Sequence, residues 1–382
     1  MARVRIGGAG LVSSYGRGAP LAAQRMLAGR NGITPLTLFE PPFRDQVVVN
    51  QIDRAPFGEG QEAIEAMLEA AIDEALQQAG HGPGILAEDC ALIIGSSSAM
   101  YISEAEYRRY YGTGEELLQR RQGSAADIAH ALTRALDMRG PAFTVQTACS
   151  SSANAMILGH DLITRGQARR ALVLGADGLS TIGLSGFYSL MLLDPAGCHP
   201  FDSRRNGLQV GEGFAALLLE RGDGETRGPW LLGGDNLCDI HHVTSASPDG
   251  SGMRLVMERA LAAAGVAPAD IRLIKAHGTG SNDNDTAEAA AMRDLFGRDL
   301  PPFTVLKRYL GHTLGACGVV ETAALLACLD AGRVPPALGF ERPDPALGVT
   351  PLTEAWPAEP GHYLLNFFGF GGNYTSLVMT YD

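Results

Sequence analysis

Lysine is nearly absent from this 382-residue chain: there are two, Lys275 and Lys307, against 28 arginines. Basic charge as a whole is in deficit, with 30 lysines and arginines against 42 aspartates and glutamates, a formal net charge of −12. Such a surface repels phosphate backbones and anionic lipid, so neither a nucleic acid nor a membrane surface is the expected partner. No apolar run approaches the ~20 residues needed to span a bilayer. The start, Met1-Ala2-Arg3-Val4-Arg5-Ile6, lacks the apolar core of a signal peptide. Paired cysteine spacing is missing too: Cys90, Cys149, Cys198, Cys238, Cys317 and Cys328 contain no CxxC. They read as reduced thiols of a cytoplasmic protein without a metal site. What the chain has in quantity is apolar residues (46%) and glycine (48), the material of a deep core with many strand-to-helix turns. Its length admits two domains or one internally duplicated core.

Periodicity supplies a succession of strands and helices. Val4 to Val12 reads as a strand, and residues 13–60 as loop-rich with five prolines. Ala63, Ile64, Met67, Leu68, Ala71, Ile72, Ala75 and Leu76 stripe one face of a helix over 61–79 that Gly80 ends. Cys90 to Gly95 reads as a buried strand, 101–122 as a helical surface excursion, 125–138 as a helix, and 171–175 and 214–220 as further strands. After the polar stretch Arg221–Gly228 a second series follows: helix 252–264, strand 271–276, helix 285–296, strand 303–306, helix 318–331 and strand 363–368. The order repeats, which suggests a duplicated αβα core divided into residues 1–226 and 227–382.

The most informative unit is Pro141-Ala-Phe-Thr-Val-Gln-Thr-Ala-Cys149-Ser-Ser-Ser152. Phe143 and Val145 alternate as in a short buried strand, and from Ala148 the pattern turns helical up to Gly166. Cys149 therefore stands at a helix N-terminus, where unpaired N–H groups and the macrodipole favour an anion and lower a thiol pKa. A lone cysteine is most often a small buried hydrophobe. The Ala-Cys-Ser-Ser-Ser setting, with room for a substrate, favours a nucleophile.

Three other stretches concentrate reactive side chains after strands: Lys275-Ala-His277-Gly-Thr279-Gly-Ser281 with Asp285 and Glu288; Lys307-Arg-Tyr-Leu-Gly-His312-Thr-Leu-Gly with Glu321; and Phe368-Gly-Phe370-Gly-Gly-Asn373. Singly each has an ordinary reading: a glycine turn, a strand–helix junction, a flexible loop, a surface ion pair. A doubly wound α/β sheet, however, gathers the carboxyl ends of its strands at one crevice. One nucleophile, two histidines and a lysine at such ends are a rare coincidence.

In combination these stretches resemble the β-ketoacyl-acyl-carrier-protein synthases, the elongating condensing enzymes of the thiolase superfamily. The likeness extends through Pro200-Phe-Asp-Ser-Arg-Arg-Asn-Gly207, Gly211-Glu-Gly213 and His242-Val-Thr-Ser245. It implies an α/β, thiolase-like, duplicated αβαβα layered core with two central mixed sheets. It also implies that Cys149 holds an acyl chain as a thioester. The N–H groups of Cys149 and Phe370 form an oxyanion hole, worth roughly 3 kcal/mol. His277 and His312 polarise a malonyl thioester for loss of CO₂, and Lys307 with Glu321 orients them. Thr244, Ser245, Thr279 and Ser281 contact a pantetheine arm, and Phe368 and Phe370 gate the pocket. The implied partners are an acyl carrier protein and a second subunit, identical or ketosynthase-like. No cofactor is implied beyond the phosphopantetheine that the carrier brings.

The chain departs from the family where Asn373-Tyr374 follows Gly-Phe-Gly-Gly, which bears on gating and chain length. Arg308-Tyr309 follows the motif lysine and is expected to reshape the pocket wall. The 61–79 helix carries Glu62, Glu65, Glu69 and Asp73 but no base, so the patch for an acidic carrier is expected either at Arg120, Arg121, Arg204 and Arg205 or on a second subunit. These substitutions suggest a polyketide- or polyene-type synthase. The competing readings are a chain-length-factor-like partner subunit and a non-decarboxylating acyltransferase or thiolase. The first typically lacks the cysteine, and a thiolase has a second cysteine near the C-terminus, where this chain has none after Cys328.

Overall fold

The computed structural model describes residues 3–58, 60–97, 125–222 and 228–382. The excursion expected at 101–122, with Arg120 and Arg121, lies outside the described residues. Five strands form the first half-sheet: β1 (Arg3–Ser13), β2 (Cys90–Gly95), β3 (Ala142–Val145), β4 (Arg170–Asp177) and β5 (Gly213–Gly222). Five more form the second: β6 (Trp230–Cys238), β7 (Ile271–Lys275), β8 (Phe303–Thr304), β9 (Gly361–Gly369) and β10 (Asn373–Tyr381). The first runs β3-β2-β4-β5-β1 and the second β8-β7-β9-β10-β6, the same order. In each, the first three strands are parallel and the last two antiparallel. The repeat suggested by the sequence is thus a repeat of topology. The two mixed sheets also touch: Val4 pairs with Leu231 and Arg5 with Trp230, joining β1 to β6 edge to edge.

Helices make three layers around these sheets. Along the chain they are α1 (Ala19–Leu27), α2 (Gly60–Gln78), α3 (Ala125–Ala135), α4 (Ser151–Thr164), α5 (Thr181–Ser189), α6 (Ser251–Ala264), α7 (Asn282–Phe296), α8 (Lys307–Leu310) and α9 (Cys317–Asp330). α2 and α3 cover the outer face of the first sheet through one apolar cluster, and α6 and α7 that of the second through another. α4 and α9 lie in the central layer, whose cluster draws on both sheets. The sequence shows why. The stripe on α2 is one-sided: Met67, Leu68, Ala71 and Leu76 are buried, while Glu62, Glu69 and Asp73 are exposed. α9 is apolar apart from Glu321, Thr322 and its terminal Asp330, and every residue from Cys317 to Leu326 is buried, as suits a helix between two sheets. A fully buried leucine there contributes about 1.5–3 kcal/mol. Among the described residues no helix is long and apolar enough to cross a membrane.

Two glycines allow close approach to α4, Gly95 from the end of β2 and Gly318 from α9. A Cβ on Gly95 would stand 2.2 Å from the Ser152 Cα, and one on Gly318 would stand 2.2 Å from the Ala153 nitrogen. Both obstacles are backbone, so neither yields by a rotamer change.

The structure departs from the sequence expectations in four places. β3 is not buried: it is the outermost strand of its sheet, and Phe143 is 37% exposed. Within the loop-rich 13–60 stands α1, whose Pro20 lies in its first turn, where proline is tolerated. α5 contains Gly183 and Gly186, which mask its pattern, and starts where the Ser180 hydroxyl accepts the Gly183 N–H at 3.1 Å. β10 pairs with β9 along its whole length and completes the second sheet.

Replacing Gly318 by valine is expected to cost on the order of 1–3 kcal/mol, as overpacking does. Urea denaturation measures it, and an unchanged midpoint would refute the tight α4–α9 contact.

Candidate active site

Cys149 stands on the elbow between β3 and α4. The elbow is sharp because Ala148 adopts a left-handed conformation, φ 52°, unusual for a residue with a side chain. Local hydrogen bonds hold it. Ser151 Oγ donates to Ala148 O at 2.6 Å, Ser150 Oγ donates to Thr147 O at 2.8 Å, and Asn154 Nδ2 donates to Thr147 Oγ1 at 2.8 Å. Across the central layer Cys317 Sγ donates to Cys149 O at 2.9 Å. Behind it, the buried Asp177 accepts from Ser96 Oγ, Ser97 N and Ala316 N. Burial pushes that carboxyl up to about 7.

The second half-sheet delivers the histidines. His277 follows β7, and His312 follows α8. His312 Nε2 lies 3.1 Å from Cys149 Sγ, and the two imidazoles meet edge to face with ring centres 5.3 Å apart. Both are buried. Burial first, then Lys307 and other nearby positive charge, pushes each well below the ordinary histidine range, so both are neutral at pH 7. Both ring nitrogens of His277 and Nδ1 of His312 are buried without a hydrogen-bond partner. Such atoms cost about 1–3 kcal/mol each unless a ligand satisfies them. The turn bearing His277 is held by Glu288, which accepts the His277 N–H at 2.7 Å and the Gly278 N–H at 2.8 Å. Asp285 accepts from Phe201 N and Gly280 N. Burial pushes Glu288 up to about 7 and Asp285 up to about 6.

The thiol itself overturns an expectation. Burial dominates and pushes Cys149 up to about 11, although Lys307 and the N–H of Phe370 pull it down. A helix terminus acts through partial charges of ~0.5, which do not repay desolvation of a whole thiolate. The resting group is therefore a thiol with a neutral imidazole beside it. The backbone N–H groups of Phe370 and Cys149 also favour its anion, without outweighing burial.

Glu321 is no surface residue. It forms a buried ion pair with Lys307, and its other oxygen accepts from Lys275 Nζ at 2.7 Å. The sequence marked Lys275 only as the start of a motif; its scarcity was the one signal for it. Thr244, Ser245, Thr279, Ser281, Phe368 and Phe370 all line the same cavity of about 250 Å³ as Cys149, His277 and His312. Phe370 packs against Phe187 on α5 with ring centres 5.8 Å apart. Its loop is tied down where Gly371 N donates to Val243 O at 2.6 Å and Asn373 Nδ2 donates to Phe370 O at 2.9 Å. Asn373 thus ties down the loop that carries Phe370. Tyr374 lines the cavity, its ring 5.4 Å from Phe368, which stands 5.9 Å from His277.

Two expectations about substituted residues fail. Arg308 is not a wall of the cavity: it donates to Gly197 O and Cys198 O, fastening a neighbouring loop, and Tyr309 is buried in the central core. Arg204 and Arg205 are not free basic groups either. Arg204 pairs with Asp202 and Glu341, and Arg205 with Asp344. Exposed apolar residues border the cavity instead, with Met191 88% and Val243 72% exposed.

A buried cysteine with backbone N–H groups and two neutral imidazoles beside it, on a duplicated thiolase-like αβαβα core, defines an acyl-transfer site of the condensing class. Comparisons agree. The N-terminal domain of beta-ketoacyl synthases matches residues 1–224 and the C-terminal domain matches residues 233–341. The chloroplastic 3-oxoacyl-[acyl-carrier-protein] synthase II of Arabidopsis thaliana is 30% identical, over 98% of this chain and 75% of its own. The ishigamide ketosynthase/chain length factor superposes with a TM-score of 0.90 at 27% identity, over 100% of this chain and 99% of the other. A structure of the ketosynthase ApeO with its chain length factor ApeC from Xenorhabdus doucetiae gives 0.84 at 30%, over 100% and 98%. The chain belongs to the β-ketoacyl synthase family.

Because the thiol is raised to about 11, its alkylation by iodoacetamide is expected to accelerate about tenfold per pH unit from 7 to 9. A plateau near neutrality, with Cys149 as the mass-mapped site, would instead identify a resting thiolate.

Proposed function

We propose that this protein catalyses the decarboxylative Claisen condensation of an acyl thioester with a malonyl-carrier, giving a β-ketoacyl-carrier in fatty-acid or polyketide/polyene biosynthesis. The observation that carries the reading is the contact of Cys149 Sγ with His312 Nε2 at 3.1 Å, with His277 against the same ring. His312 Nε2 takes the thiol proton as sulfur attacks the acyl carbonyl. The N–H groups of Cys149 and Phe370 hold the resulting oxyanion. Collapse expels the carrier's pantetheine thiol, which recovers the proton, and leaves the chain on Cys149.

With Cys149 acylated, His312 exchanges its ring proton from Nδ1 to Nε2, and His277 and His312 as Nε2–H tautomers receive the malonyl thioester oxygen. The bond to the carboxylate breaks, CO₂ leaves, and its electron pair becomes an enolate held by two donors away from water. The enolate carbon attacks the acyl–Cys149 carbonyl, and the sulfur departs. Lys307 and Glu321 orient the imidazoles from behind, and Phe368 and Phe370 gate the pocket. Thr244, Ser245, Thr279 and Ser281 line the path of the pantetheine arm. The arm arrives on the carrier, and the chemistry calls for no resident metal or redox group.

The partners in this reading are an acyl carrier protein and a second ketosynthase-like or identical subunit, in the cytoplasm. The edge strand β3, with its exposed Phe143 and a free row of backbone groups, suits strand pairing with that subunit. We take residues 1–226 and 227–382 as its two halves. A chain-length-factor role alone is disfavoured by the intact cysteine and histidines. A non-decarboxylating transferase has no use for the second imidazole.

Cys149→Ala is expected to abolish acyl loading. His277→Ala is expected to load acyl groups yet release CO₂ from malonyl-carrier at least ~10²-fold more slowly, within the range for loss of general acid–base or oxyanion donors, whereas His312→Ala, which also removes the base for loading, is expected to slow both steps. Intact-protein mass spectrometry and CO₂ assay read the two steps separately. Parent-rate decarboxylation by His312→Ala would remove its assigned role.

A further inference from the structure

Both lysines of the chain end on one glutamate. Lys275 Nζ donates to Glu321 Oε2 at 2.7 Å and to Asn366 O at 2.6 Å, and it lies 3.6 Å from the centre of the Phe367 ring. Lys307 takes the other carboxylate oxygen. All three side chains are at most 1% exposed. Lys275 ends β7 two residues before His277, and Lys307 opens α8 five residues before His312. Glu321, on α9, therefore ties the strand that carries one imidazole to the turn that carries the other.

We propose that Lys275 is a positioning residue for the decarboxylation step: with Glu321 and Lys307 it sets the spacing of His277 and His312 and keeps one unmatched positive charge behind them. This rests on the condensing reading above. With both lysines protonated, two ammoniums face one carboxylate. The nearest further acid is Glu288 on α7, which is committed to the His277 turn. The other titratable groups around the cluster are Cys317 on α9, Cys149 on the α4 elbow and the two neutral histidines. A buried cation there lowers the energy of the developing enolate. It does so through a low-dielectric medium, without touching it.

The two lysines are not equivalent. Burial, together with Lys307, pushes Lys275 below the ordinary lysine range against the pull of Glu321. Burial acts on Lys307 too, but Glu321 and the neighbouring thiols outweigh it and hold Lys307 up. Lys275 is accordingly the member of the cluster that gives up its proton first as pH rises. The surplus charge is present at low pH and lost on the alkaline side.

The test measures acyl loading of Cys149 and CO₂ release from malonyl-carrier across pH 6–10 for the full-length protein, Lys275→Met and Lys275→Arg. The parent protein is expected to lose decarboxylation rate on the alkaline side. Lys275→Met should load acyl groups within about threefold of the parent. Its decarboxylation kcat should fall at least about tenfold with KM held within about twofold, and the alkaline fall should disappear. Lys275→Arg keeps a charge that does not titrate, so it should retain neutral-pH activity within about fivefold and lose the alkaline fall. If Lys275→Met does not fold, Lys275→Arg decides alone. An alkaline fall retained in the variants overturns the proposal, as does an equal loss of loading and decarboxylation. A parent protein that releases no CO₂ overturns the functional reading and this inference with it, a distinct result from parent activity that the variants leave unchanged.

Discussion

The site depends on one packing contact, that of α4 against α9 in the central layer. Gly318 lies on the backbone of Ala153, Val319 N donates to Ser152 Oγ at 3.1 Å, and Cys317 Sγ reaches Cys149 O. Because backbone meets backbone, the two helices have almost no freedom to slide. α4 carries the nucleophile from the first half, and α9 carries Glu321 against the lysines of the second. Fixing one helix against the other thus sets the cysteine relative to the histidines, through parts that are more than a hundred residues apart in sequence.

Burial then decides the electrostatics. It keeps Cys149 a thiol against the pull of Lys307 and the helix terminus, and together with the nearby lysines it keeps both histidines neutral. A site whose groups rest uncharged avoids the several kcal/mol that each buried ion costs. It also leaves imidazole nitrogens free to give or take a proton when substrate arrives. The exception is the Lys275–Glu321–Lys307 cluster, where charge is retained because each ammonium has a carboxylate oxygen and Lys275 has a carbonyl and a ring face besides. The cost of burying that cluster is supportable because it is hydrogen-bonded rather than merely adjacent.

The residues that set this chain apart from the common family pattern act mostly on the surroundings of the site. Arg308 fastens a loop, Asn373 ties down the turn that carries Phe370, and Tyr374 extends the row of rings from His277 through Phe368. Arg204 and Arg205 are held in ion pairs within the chain, and exposed apolar residues border the cavity.

Sequence alone determined much of this protein. The one-sided stripe of α2, the largely apolar run of α9 and the turn chemistry before Cys149 are local patterns, and local patterns survive in a linear text. The motif stretches named Cys149, His277, His312, Lys307 and Glu321 for the same reason. Tertiary structure decided what depends on distance through space. It left β3 exposed because no later strand covers it, and it raised the thiol because desolvation is a property of the whole surroundings. It neutralised Arg204 and Arg205 with acids brought from elsewhere in the chain. It also joined Lys275 to Glu321 across 46 positions, a contact that no spacing rule within a helix or strand can encode.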